Sequence, residues 1–128
     1  MPGEPYQENA VKLKDDHASG IARLSAPAFI VQEVANAFWR AVKLGRIAEE
    51  DAQDALKALN DVGIELHSLS WTQISQALST ACKLDLTIYD AAYLFLTDKT
   101  KARLVTADTK LYEKAKKQFE ILHVKDYV

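Results

Sequence analysis

A single cysteine, Cys82, is all the sulfur chemistry this 128-residue chain offers, so no internal disulfide can form and a reducing cytoplasmic setting is expected. Glycine is nearly as scarce. There are four, none in G-x-G spacing, which excludes a glycine-rich phosphate loop. No apolar run approaches the roughly 18 residues that a membrane helix needs, so no membrane partner is expected. Residues 1–8 are polar and carry two prolines, unlike a signal peptide. His17, His67 and His123 are scattered without zinc-like spacing and read as surface or half-buried side chains. An overall basic charge is missing too. The net charge of -2 argues against a whole-molecule nucleic-acid footprint, while 16 Lys and Arg leave room for a local basic rim. What remains is 48% hydrophobic and 27% charged, the make-up of a folded domain, and 128 residues suit a single domain, 1–128, around one core.

The period of the apolar residues switches repeatedly along the chain. Helices are predicted over residues 6–17, 27–44, 48–61, 71–83, 88–96 and 109–118. Strands are predicted over 21–25, 64–69, 103–107 and 120–124. Gly20, Gly45 and Gly63 stand as helix stops, and Pro27 as the opening residue of the second helix. Ser70 and Thr87 sit where N-caps belong. Strands separated by helices imply parallel pairing in an α/β/α sandwich.

Three acids stand at backbone junctions. Glu33 lies just inside the helix from Pro27. With Asn36 and Arg40 it forms a stripe beside the apolar face of Ile30, Val34, Ala37, Phe38 and Ala41. From its spacing that stripe reads first as a solvated helix border, and second as a polar row facing a cleft. Asp90 lies near the start of a helix that is apolar nearly all round. It either closes a capping box with Thr87 or serves as a ligand. Asp108 ends the strand Leu104-Val105-Thr106-Ala107. It is either the N-cap of the next helix or, with the Thr106 hydroxyl, part of a site at a strand's carboxyl end. Carboxylates grouped this way are costly to bury without a cation between them, and a divalent metal is the usual one. Lys110, Lys114 and Lys117 share a helical face whose start lies beside Asp108, where a phosphate backbone could pass. Cys82 sits on an apolar helix and reads as core.

Taken in order, these markers resemble the PIN domain family, and within it the VapC-type toxins of toxin–antitoxin pairs. They are Ser25-Ala26-Pro27, then Glu33-Val34 and Asn36, then Gly45-Arg46-Ile47 before an acidic helix start. Leu86-Thr87-Ile88-Tyr89-Asp90-Ala91-Ala92-Tyr93 and Leu104-Val105-Thr106-Ala107-Asp108 follow. The resemblance covers nearly the whole chain. It implies a PIN-like three-layer α/β/α sandwich with a parallel sheet. It also implies a ribonuclease using Mg²⁺ or Mn²⁺, with metal ligands at Glu33, Asp90 and Asp108, support from Thr106, and RNA contacts from Asn36, Arg40 and Lys110. An antitoxin protein and a second copy of the chain are the implied partners.

One feature of the family is not found. Its first strand, the central one in a sheet ordered 3-2-1-4-5, carries an aspartate and precedes the segment matching Glu4-Pro5-Tyr6. The expectation is therefore a weakened metal site and impaired RNA cleavage, with an inactive PIN-like module that binds an antitoxin or itself as the alternative. The strand edges near residues 21–25 and 103–107 are expected to pair directly, or else to admit a segment of a second chain.

Overall fold

A computed structural model describes residues 7–19 and 23–127. In chain order the elements are α1 (Gln7–Ala18), β1 (Ser25–Pro27), α2 (Ile30–Lys43), α3 (Glu49–Val62), β2 (Glu65–His67), α4 (Trp71–Leu84), α5 (Ile88–Thr100), β3 (Leu104–Thr106), α6 (Thr109–Ala115) and β4 (Ile121–His123). A 3-10 turn, Val124–Asp126, follows β4. The chain divides into two compact units, one of Arg23–Ser68 and one of Met1–Ala22 with Leu69–Val128.

In the Arg23–Ser68 unit, β1 and β2 run parallel, with Ser25, Ala26 and Pro27 opposite Glu65, Leu66 and His67. Pro27 does not open α2 as the sequence suggested. It is the last residue of β1 and is fully buried. A missing amide proton is tolerated at an edge as well as at a helix start. The helix begins three residues later, after a turn at Ala28 and Phe29. Gly63 ends α3 at φ 75°, the left-handed C-cap that its position predicted. Although α2 has a well-segregated apolar face, none of its residues is fully buried. Ile30, Val31 and Val34 line an apolar groove together with Leu56 and Leu59 of α3 and Leu66 of β2.

The other unit holds most of the buried core. Ala77 and Ala81 of α4 meet Ala91 of α5, flanked by Ile88 and Phe95. These small side chains let the two helices approach closely. Leu94, fully buried, joins Leu111 and Ala115 of α6, with Leu84, Leu86, Leu104, Phe119 and Ile121 around them. That cluster fastens α5 and α6 to the parallel pair β3–β4, in which Leu104, Val105 and Thr106 lie opposite Ile121, Leu122 and His123.

Among the described residues the strands pair in parallel, β1 with β2 and β3 with β4, and lie within or beside the predicted segments. Residues 20–22, including Gly20 and the start of the predicted 21–25 strand, fall outside the described residues. The strands form two separate two-stranded sheets. The direct pairing expected between the edges near 21–25 and 103–107 is not among the ladders of the described residues. The helix at 88 runs on to Thr100, and the hydroxyls of Thr97 and Thr100 donate to the carbonyls of Tyr93 and Leu96. The helix at 109 stops at Ala115. Cys82 is exposed, not core, and His123 is buried, not superficial.

Candidate functional site

The acids of the larger unit owe their positions to helix starts. Thr87 caps α5, its hydroxyl accepting from the Asp90 amide at 3.2 Å. That is one half of the predicted capping box, and it fixes Asp90 in the helix's first turn. Asp108 caps α6, its Oδ1 accepting from the Leu111 amide at 3.1 Å. The Asp108 amide in turn donates to the Thr106 hydroxyl at 3.0 Å. Thr106 is half-buried at the carboxyl end of β3, and Asp108 is exposed just beyond it. The capping reading of Asp108 is therefore met, that of Asp90 only in its Thr87 half, and neither takes up the acid fully. The Asp108 cap uses one oxygen, leaving Oδ2 for a ligand.

Asp90 feels the charge of Asp108. The half-buried Asp90 carboxyl is held above its ordinary value of 3.8, first by burial and second by the Asp108 carboxylate. A hydrogen bond with Thr87 and the Lys114 ammonium act in the opposite direction. Lys114 of α6 donates to the Asp85 carbonyl at 2.7 Å and lies 3.9 Å from the Asp85 carboxylate. The resulting arrangement is a partly desolvated carboxylate that feels a second carboxylate and the ammonium of Lys114. Lys110 is exposed in the first turn of α6.

Glu33, Asn36 and Arg40 belong to the other unit. They lie on successive turns of α2 and all three are exposed. Among the described residues, no three His, Cys, Asp or Glu side chains are grouped closely enough to hold a metal ion. The chemistry of the donors present, two carboxylates beside a hydroxyl, is nevertheless that of a hard-cation site, which suits Mg²⁺ or Mn²⁺ and not a thiolate metal.

Sequence reasoning passed over His123. It ends β4 opposite Thr106, and its ring is 1% exposed. The Lys125 amide donates to Nδ1 at 3.2 Å, so the neutral ring carries its proton on Nε2. Nε2 lies 3.4 Å from the Thr109 hydroxyl, and Tyr112 meets the ring edge-on with centroids 6.0 Å apart. The available signal was a lone polar residue inside the apolar run Ile121-Leu122-His123-Val124. A histidine there must be buried with partners.

An α/β chain with parallel strands and acids set at the carboxyl end of a strand and at the first turn of a helix defines a class of acid-site α/β domains. This chain belongs to the PIN domain family, whose model matches residues 2–117. Its curated relatives are of the VapC type. It is 35% identical over 83 residues to Ribonuclease VapC3 of Pyrobaculum aerophilum, covering 64% of this chain and 63% of that protein. It is 30% identical over 91 residues to Exonuclease VapC9 of the same organism, covering 71% and 66%. The chain thus spans just under two thirds of the length of these relatives. The fold is similar to that of PAE2754 from Pyrobaculum aerophilum, with a TM-score of 0.67 and 24% identity over 92% of this chain and 79% of that one. At that identity the likeness is one of fold.

Proposed function

We propose that this protein is a metal-dependent endoribonuclease toxin of a toxin–antitoxin pair, acting in the cytoplasm. The observation that carries the reading is the Asp108 charge acting on the partly desolvated Asp90 carboxyl, two acids set at the starts of α6 and α5. The names of the two VapC relatives support ribonuclease and nuclease chemistry. In this reading Asp90 and Asp108, with Glu33, hold Mg²⁺ or Mn²⁺. The metal, when bound, supplies an acidified water and neutralises charge on the phosphate. The chain's own residues do the rest. Thr106 and the α6 cap hold Asp108 still. Burial of Asp90 excludes water from one side of the site. Asn36, Arg40 and Lys110 contact the RNA, Lys110 as a point charge on a phosphate.

The test is cleavage of end-labelled single-stranded RNA by the purified chain with Mn²⁺ or Mg²⁺. Internal fragments are expected, and a chelator should stop their formation. Asp90→Asn and Asp108→Asn should each lower kcat/KM roughly 100-fold, which is about 2.7 kcal/mol at 1.36 kcal/mol per decade. Products that only shorten stepwise from one end would replace the endonuclease reading with an exonuclease one.

A second reading, a PIN-like module that binds an antitoxin or its own copy without cleaving RNA, is favoured by the apolar groove between α2, α3 and β2. Leu66, at 48% exposed, and Val31, at 47%, leave that groove greasy and open. The same assay decides. A chain inert toward RNA with either metal supports the module.

A further inference from the structure

We infer that His123 is a positioning residue for the acid site, holding the first turn of α6 so that Asp108 presents its second oxygen. The inference rests on the reading of Asp108 as a metal ligand and goes beyond it to a residue which that reading does not use. Three bonds define the turn from β3 into α6. The Asp108 amide donates to Thr106, Leu111 donates to Asp108, and Thr109 meets the imidazole. The first two lie within the turn itself. Only the third ties it to another strand.

The geometry of His123 suits that role and no surface role. It is fully enclosed, and its register partner across the β3–β4 ladder is Thr106. One nitrogen is spent on the Lys125 amide, which fixes the ring plane and directs the Nε2 proton toward Thr109. Thr109 and Tyr112 are three apart in sequence, so they face the same side of α6, one turn along. The imidazole meets both, one through a hydroxyl and the other through a ring edge. It therefore clamps the turn that begins with Asp108 at two points. A carboxylate whose support is held by a buried, oriented ring needs less ordering when a cation arrives, which is how outer-shell groups raise metal affinity.

The experiment measures Mn²⁺ dissociation constants by calorimetric titration, hydrogen exchange at the Leu111 amide, and melting temperature. It uses the whole chain and its variants His123→Phe, His123→Gln, Thr109→Val and Asp108→Asn. His123→Phe keeps the ring against Tyr112 and removes both nitrogens. It should weaken Mn²⁺ binding about tenfold and speed Leu111 exchange. Thr109→Val, at an exposed position, should do the same and keeps the question answerable if His123→Phe does not fold. His123→Gln retains an amide donor near the place of Nε2 and should recover most of the affinity. The double variant His123→Phe/Thr109→Val should be no weaker than either single one, because both break one link. Loss of affinity in Asp108→Asn but not in His123→Phe or Thr109→Val overturns the inference and leaves the site reading standing. No loss in Asp108→Asn overturns the site reading. Leu111 exchange then judges the clamp alone, and unchanged exchange in both clamp variants overturns it too. Equal melting losses in all His123 variants, with His123→Gln no better than His123→Phe in affinity, would mean a merely structural histidine.

Discussion

Asp90 is a carboxyl whose ionisation works against folding. Burial and the Asp108 charge hold its folded value above 3.8, so the unfolded chain ionises first as pH rises. Stability is unaffected below 3.8, falls as pH climbs from there through the raised folded value, and stays lowered above it. Asp90→Asn removes the charge and keeps the shape. In the presence of a chelator it should melt higher than the parent at pH 7, with the gap closing below pH 3.8. Melting curves across that range check this, and a variant less stable than the parent at neutral pH would sink it. A residue kept at a cost to stability is one retained for another purpose, as strained functional groups commonly are.

At the scale of elements, α1 is fastened to the end of the chain by polar ties. Tyr127 donates to the buried Asp16 at 2.5 Å, and Lys12 reaches the same carboxylate at 3.1 Å. The Asn9 amide donates to the Tyr127 carbonyl at 2.8 Å. The Tyr127 hydroxyl first, and Lys12 after it, hold Asp16 below 3.8, while the Asp16 bond holds Tyr127 above 10.0. The Asp16 contribution is therefore full above 3.8 and is lost as pH falls through its lowered folded value. The Tyr127 contribution is full below 10.0 and is lost as pH rises through its raised one. Tyr127→Phe should speed amide exchange across α1 at pH 7 and leave the Leu94–Leu111 core protected. Below the folded value of Asp16 the parent and variant should exchange alike. Unchanged α1 protection at pH 7 would show that the tie carries no weight.

Elements of this kind were legible in the sequence where local chemistry dictated them. Ser70 with Gln73, Thr87 before Asp90, and Gly63 after α3 each satisfy a helix end by themselves, and the helices start or stop there. Pro27 was misread because a missing amide proton suits a helix start and a strand edge equally, and only the pairing with His67 decides. Cys82 was misread as core because burial on α4 follows Ala77 and Ala81, and the neighbour of a buried position points roughly 100° away. The family pattern put Asp90 and Asp108 in one ligand set, a reading that the proposed function carries forward. The place of His123 was not legible, since it depends on β4 pairing with β3, where its register partner Thr106 lies 17 positions away in the chain.

For the molecule as a whole, metal binding and folding are linked, because a ligand that binds only the folded state stabilises it by mass action. Mn²⁺ at 100 times its dissociation constant should add about 2.7 kcal/mol. For a chain of this size, each kcal/mol moves the melting temperature by about 4 °C, so a rise of about 10 °C is expected. The mechanism is local. On the proposed reading the cation would offset the burial and the Asp108 repulsion that raise Asp90, and the unit that holds Asp90 and Asp108 would carry the gain. Net charge has little part in it, since a total of -2 attracts divalent ions only weakly. Asp90→Asn and Asp108→Asn should therefore each lose most of the rise, while removal of an exposed acid outside the proposed ligand set, such as Asp54→Asn, should lose none. Glu33→Gln is the informative third variant. It loses the rise if the α2 acid belongs to the same ligand set, and keeps it if the metal is held by the larger unit alone. Scanning calorimetry with and without Mn²⁺ measures all of these, and a rise that survives in both Asp90→Asn and Asp108→Asn would place the metal elsewhere.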